Sequence, residues 1–144
     1  ERADMTTRIL DVGAGDILKR EGDFSSIEPI LWAALLETMS AKSAFRRLIG
    51  PVIEKDNVID FIANEKDFPR SISHCLNETK QVVSSLPNHK ETSLLLDRIR
   101  RKVRRFKSNN RQESSLHKFI SSLQGNLTEL DNEIHTKWFV RNTD

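Results

Sequence analysis

The sequence predicts an all-α protein, a helical bundle with a long C-terminal helix and no sheet. Three observations carry this expectation. Apolar residues recur at spacings of three and four along most of the chain, the period of helices that bury one face. No segment alternates apolar and polar residues with period two between turn signals, so strands have no support. Finally, Gly13 with Gly15, Gly50-Pro51 and Leu86-Pro87-Asn88 fall where periodic stretches end, as helix stops do.

The first helix is predicted over residues 1–13, with Met5, Ile9 and Val12 as its buried stripe and Gly13 and Gly15 as its stop. Glu1, Asp4, Arg8 and Asp11 form a polar stripe on the opposite side. Arg2 precedes the apolar stripe by one turn and is expected to point inward, where its guanidinium needs a carboxylate or a set of carbonyls. No capping residue and no initiator Met precede Glu1, so the helix is expected to begin upstream and the chain to be part of a longer one.

Ser25-Ser26-Ile27-Glu28 has capping-box spacing and opens a helix through about Met39. Ile27, Ile30, Leu31, Trp32, Leu35, Leu36 and Met39 leave it little polar surface, which predicts a central position. Shorter helices are expected at about 41–49 and 56–66. Asp67 can cap the next, Pro69 sits near its start, and Leu86-Pro87-Asn88 ends it. Leu95, Ile99, Val103 and Phe106 stripe the following helix. The last, near 112–140, carries Leu116, Ile120, Leu123, Leu127, Leu130, Ile134 and Trp138 on one face. That stripe is expected to lie against the Ile27 to Met39 helix or its neighbours. Gly125 lies inside it at a cost of about 1 kcal/mol relative to Ala, which points to a close helix contact.

With 144 residues, 31% charged and 37% apolar, the chain can bury a core, and it has no apolar run of the ~18 residues a membrane span requires. It shows no charged-then-apolar leader. The single Cys75 cannot form an internal disulfide, so a reducing compartment, the cytoplasm, is the expected location. There is no Gly-rich phosphate loop, no Gly-x-Ser-x-Gly elbow and no Cys-x-x-Cys pair. His74 and Cys75 point about 100° apart on a helix, and His89, His117 and His135 have no companion ligand at helical spacing. Neither a metal nor a cofactor is expected, and no catalytic residue is assigned.

Three groups of side chains are candidates for binding. Glu1, Arg2, Asp4 and Arg8 form either an ion-pair network locking helices together or a cleft in which an arginine holds an anion and a carboxylate receives an amine. In Asp67-Phe68-Pro69-Arg70-Ser71-Ile72, the helix start with Arg70 and Ser71 suits a carboxylate or phosphate, although capping alone explains the same residues. The third group is a basic run: Arg98, Arg100, Arg101, Lys102, Arg104, Arg105, Lys107 and Arg111, opposed only by Asp97. Of 23 basic and 21 acidic residues, eight and one fall in this run, leaving 15 and 20 elsewhere. A basic patch on an otherwise acidic molecule points to a polyanion or an acidic protein surface. Phe106 alone interleaves with the cations and belongs to the apolar stripe, so bases have no stacking platform and nucleic acid is disfavoured. Arg111 and His117 have the Arg-x5-His spacing of HEPN ribonucleases, but Gln112 is not their usual polar follower.

Glu1-Arg2-Ala3-Asp4-Met5-Thr6-Thr7-Arg8-Ile9-Leu10-Asp11-Val12, Trp32-Ala33-Ala34-Leu35-Leu36, Ala41-Lys42-Ser43-Ala44-Phe45-Arg46-Arg47, Phe68-Pro69-Arg70-Ser71-Ile72 and Ile134-His135-Thr136-Lys137-Trp138-Phe139 occur in this order. Together they resemble the alpha-E domain family, an all-helical domain with a glutamate-arginine motif. The chain is similar to the C-terminal half of a longer, duplicated domain. The resemblance implies that Glu1 and Arg2 are the namesake pair and that Arg70 and Ser71 belong to a proline-arginine-serine segment. It also implies a bacterial context of ATP-grasp proteins and transglutaminase-like peptidases. The leading expectation is therefore a non-catalytic partner, or peptide-presenting module, of an amide- or peptide-ligating system. Its rival is an enzyme acting on amide bonds through Glu1, Asp4 and Arg8. Because the missing half resembles the one present, a two-fold homodimer is a further expectation, with Arg2 meeting a carboxylate across the interface.

Overall fold

The long stripe at the end of the chain organises the fold. In the computed structural model, which describes residues 1–20, 26–106 and 113–140, α7 (Glu113–Ile134) buries Leu116, Ile120, Leu123 and Leu130. Leu127, Ile134 and Trp138 pack against the same core. Each fully buried aliphatic side chain contributes about 1.5–3 kcal/mol. A stripe of this length needs a long partner, and α1 (Arg2–Lys19) supplies it.

Five further helices complete the bundle among the described residues: α2 (Glu28–Thr38), α3 (Lys42–Leu48), α4 (Lys55–Asn64), α5 (Ile72–Ser84) and α6 (Lys90–Arg105). The described residues contain no strand. α1 is the hub, touching α2, α4, α5 and α7; α5 and α6 form a hairpin whose second arm also packs on α7. One continuous core joins Leu10, Trp32, Phe45, Phe61, Leu76, Leu96 and Leu123 from all seven helices. Phe61 sits at its aromatic centre, edge-on to Phe45 at 5.3 Å and stacked on Phe68 at 4.8 Å between ring centres.

Several local expectations are corrected. The buried face of α1 is Ala3, Thr6, Thr7, Leu10, Ala14, Ile17 and Leu18, whereas Met5 and Val12 are 54% and 66% exposed. Gly13 and Gly15 do not end the helix, which runs on to Lys19. A Cβ on Gly13 would stand 2.5 Å from Leu35 Cδ1, so this glycine is where α1 and α2 approach closely. Gly125, expected at such a contact, is exposed and faces open space. α2 is not central: it buries Trp32, Leu35 and Leu36 and leaves Ile30 65% exposed. α7 packs on α1, the neighbour of α2 in the bundle and in sequence, and on α6, rather than along α2 itself.

Ser25 lies outside the described residues, and Glu28 accepts a hydrogen bond from the Trp32 indole at 3.0 Å. α2 ends with Ser40 in the left-handed region (φ 53°) and with Ala41 N–H donating to the Leu36 carbonyl at 2.7 Å. Gly50, at φ 132°, makes the turn after α3 that other residues adopt only with strain. Five residues of π-helix, His135–Phe139, extend α7. No helix of the described residues is long and apolar enough to cross a membrane.

Candidate functional site

The start of α1 and the segment before α5, about 65 residues apart in sequence, meet in the fold. Ser71, fully buried, caps α5: its Oγ accepts from the His74 N–H at 3.0 Å. Its hydroxyl donates to the Glu65 carbonyl, which leaves Ser71 with both roles filled. Asp67, the expected cap, instead donates its own N–H to Glu65 Oε1 at 3.0 Å. The His74 ring is held by the Lys66 carbonyl, 2.7 Å from Nδ1.

The three residues of Pro69-Arg70-Ser71 thereby bind three elements together. Thr6 Oγ1 of α1 donates to the Arg70 carbonyl at 2.8 Å. The Arg70 guanidinium donates to the Met39 carbonyl at the end of α2, at 2.5 Å. Arg2 Nη1 donates to the Pro69 carbonyl at 3.4 Å, and the Cys75 thiol lies 3.5 Å from the same oxygen. Arg2 is exposed rather than pointing into the core, so it bears no buried unpaired charge. Burial pushes the Cys75 thiol pKa up, against the smaller opposing pull of the Arg2 guanidinium. That keeps Cys75 protonated and unreactive.

Threonines explain how a polar helix face packs here. Thr6 and Thr7 are buried, and each hydroxyl has a carbonyl acceptor, Arg70 O at 2.8 Å and Asp4 O at 2.7 Å. Buried polar groups without such partners would oppose folding. Asp4 and Arg8 form an exposed ion pair at 2.9 Å along one face of α1, and Glu1 is exposed. The expected stripe of Glu1, Asp4 and Arg8 therefore lies on the surface, while the Arg2, Arg70 and Ser71 side chains are engaged with backbone groups.

The basic run separates into two populations on α6. Arg98 Nη2 reaches both oxygens of Glu129 at 3.0 and 3.1 Å, and Lys102 donates to Ser122 and to Asn126, the latter at 2.7 Å. Arg100 bonds Asp97 at 3.0 Å and Asn77 at 2.8 Å, and Lys80 pairs with the same Asp97. These side chains tie α6 to α5 and α7. Arg101, Arg104 and Arg105 are exposed and have no ion-pair partner among the described residues. Lys107 and Arg111 lie outside the described residues.

Sequence reading missed a pairing of Asp11 with His117 across α1 and α7. Asp11 Oδ1 stands 2.9 Å from His117 Nδ1, beside a shallow groove of about 210 Å³ lined by Val12, Gly15, Asp16, Lys19 and Leu116 with the pair itself. No sequence signal links residues 106 positions apart. Among the described residues, no three metal-ligating side chains converge.

The Alpha-E family model, described as a predicted alpha-helical domain with a conserved ER motif, matches residues 1–139. Glu1-Arg2 stands at the start of that match. No curated protein matches the chain, and no solved structure does.

Proposed function

The chain belongs to the Alpha-E family, and on that premise we propose that it serves as a non-catalytic helical partner of an ATP-grasp-type amide- or peptide-ligating system. In this role it docks the ligase or a transglutaminase-like protein, or presents a peptide to one of them. The observation that supports this reading most is the division of labour between its polar segments. The Arg2, Thr6, Arg70 and Ser71 side chains donate to the backbone carbonyls of Pro69, Arg70, Met39 and Glu65, at the end of α2 and in the segment between α4 and α5. On α6, by contrast, Arg101, Arg104 and Arg105 are exposed with no ion-pair partner among the described residues. A segment whose polar atoms brace backbone positions shapes a surface; it does not present a nucleophile and base to a substrate.

The test is reconstitution with a purified ATP-grasp ligase from the same genomic neighbourhood. The domain is expected to bind the ligase in titration calorimetry and to change its ligation rate or peptide KM. The isolated domain should not hydrolyse amide substrates. Amide hydrolysis that disappears in Asp4→Asn or Arg8→Ala chains would overturn the reading in favour of an enzyme using that exposed stripe.

A further inference from the structure

Resting on this docking role, we infer that the outer face of α6 recognises an acidic amphipathic helix of a partner protein, carrying carboxylates one turn apart and an apolar side chain that meets Leu94. Lys90, Leu94, Arg98, Arg101 and Arg105 succeed one another at spacings of four, four, three and four. They therefore share the side of α6 opposite its buried Thr92, Leu96, Ile99 and Val103. From Leu94 to Arg105 the strip extends about 16 Å, three helical turns at 1.5 Å per residue. Leu94 is 68% exposed on this face, with Lys90 and Glu91 one turn before it and Asp97 and Arg98 one turn after.

The packing of α6 sharpens this face. Arg100 and Lys102 turn sideways to Asn77 on α5 and to Ser122 and Asn126 on α7. Arg98 is held by Glu129. Arg101 and Arg105 of the strip remain for a partner, with the exposed Arg104 on its flank, each able to take a carboxylate through two parallel hydrogen bonds. An acidic helix matches both their spacing and the lone leucine, since its own carboxylates repeat at three and four residues beside an apolar stripe.

A nucleic acid fits less well. Three phosphate contacts give a salt slope of only about −3 and correspondingly weak binding at physiological ionic strength. The nearest ring in sequence, Phe106, is stacked on Phe119 with centres 3.8 Å apart and planes within 8°, and packs partly buried against the core, so it is committed to the fold rather than standing free as a platform for a base. Leu94 would also lie against the phosphate backbone without an apolar contact.

Fluorescence anisotropy with a labelled helical peptide carrying glutamates at i, i+4, i+7 and i+11 beside one leucine tests the inference on the intact chain. The expected result is binding that weakens at least about tenfold in Arg101→Glu/Arg104→Glu/Arg105→Glu and about threefold in Leu94→Ser. A scrambled peptide of the same composition should bind more weakly. These side chains are exposed, so circular dichroism should show unchanged helix content. No binding, equal binding of the scrambled peptide, or tighter binding of a single-stranded RNA would each overturn the assignment. A ligase that binds the triple variant as tightly as the unaltered chain would remove α6 as the docking face while leaving the docking role. Peptide binding through α6 without any ligase binding would remove the ligase and leave the face.

Discussion

Two glycines on long helices have opposite surroundings. Gly13 approaches Leu35 so closely that an added Cβ would stand 2.5 Å from Cδ1, while a Cβ on Gly125 would meet nothing within 4 Å. Helix propensity favours alanine over glycine by about 1 kcal/mol at an interior helical position. Gly125→Ala is therefore expected to raise stability by about 1 kcal/mol, as measured by urea denaturation. Gly13→Val is expected to lower it by about 1–3 kcal/mol, because a branched side chain must displace the buried Leu35 between α1 and α2. Ser71 is a second residue whose surroundings set its worth. Ser71→Ala removes the cap on the His74 N–H and the hydroxyl donor to the Glu65 carbonyl, and is expected to cost about 1–2 kcal/mol. Both glycines were visible in the sequence as helix-interior or helix-ending residues. Their spatial neighbours were not, because propensity describes a residue's own helix and says nothing of the helix beside it.

At the scale of single helices, legibility followed side-chain size. The stripe of α7 was readable because large aliphatic residues mark its buried side, and Leu116, Ile120, Leu123 and Leu130 are indeed buried. The inward face of α1 is not legible from apolar spacing because it is made of Ala3, Thr6, Thr7 and Ala14 as much as of Leu10 and Ile17. Small residues allow close helix approach, and threonine hydroxyls satisfied by carbonyls pack like apolar groups, while the larger Met5 and Val12 stand on the exposed side. The ends of α6 and α7 show a further contact that sequence spacing only half reveals. Glu133 lies four residues from Lys137 and 2.8 Å away in space, but it also accepts from Thr92 of α6 at 3.1 Å, and Lys137 reaches Glu91 at 3.0 Å. The Lys137 hydrogen bond holds the Glu133 carboxyl below its usual range, with Thr92 helping and burial opposing. Since the folded-state pKa is depressed, the contribution is complete above the ordinary carboxylate range and is lost as pH falls through the folded value. Lys137 is shifted up, first by Glu133 and then by Glu91, so its share persists until strongly alkaline pH. The stability difference between the unaltered chain and Glu133→Gln is thus expected to shrink as pH falls from the ordinary carboxylate range through the lowered folded-state value. Amide hydrogen exchange at the end of α7 should follow the same trend.

Across the whole molecule, contacts from α7 and the turn after it tie the end of the chain to its beginning and its middle. Gln124 of α7 lies 3.4 Å from Thr7 of α1, Asp11 pairs with His117, and the Trp138 indole donates to the Pro87 carbonyl at 3.0 Å. A core that runs through all seven helices leaves no described helix to fold on its own hydrophobic surface. This predicts one cooperative transition, with Trp32 as a suitable reporter because it is buried in α2 away from the C-terminal turn. In a Trp138→Phe chain, Trp32 fluorescence and far-ultraviolet circular dichroism should lose signal at the same denaturant concentration. Leu123, fully buried where α7 meets the rest of the core, then provides the stringent test. Leu123→Ala is expected to cost about 2–5 kcal/mol, a large share of the roughly 5–15 kcal/mol typical of a domain. If the helices form one core, both signals must shift together to lower denaturant in the doubly substituted chain. If α7 were an independent appendage, the helical signal would lose its α7 part early while Trp32 kept its original midpoint. Separate midpoints would therefore contradict the bundle, and a joint shift would place α7 inside the same cooperative unit as α1 and α2.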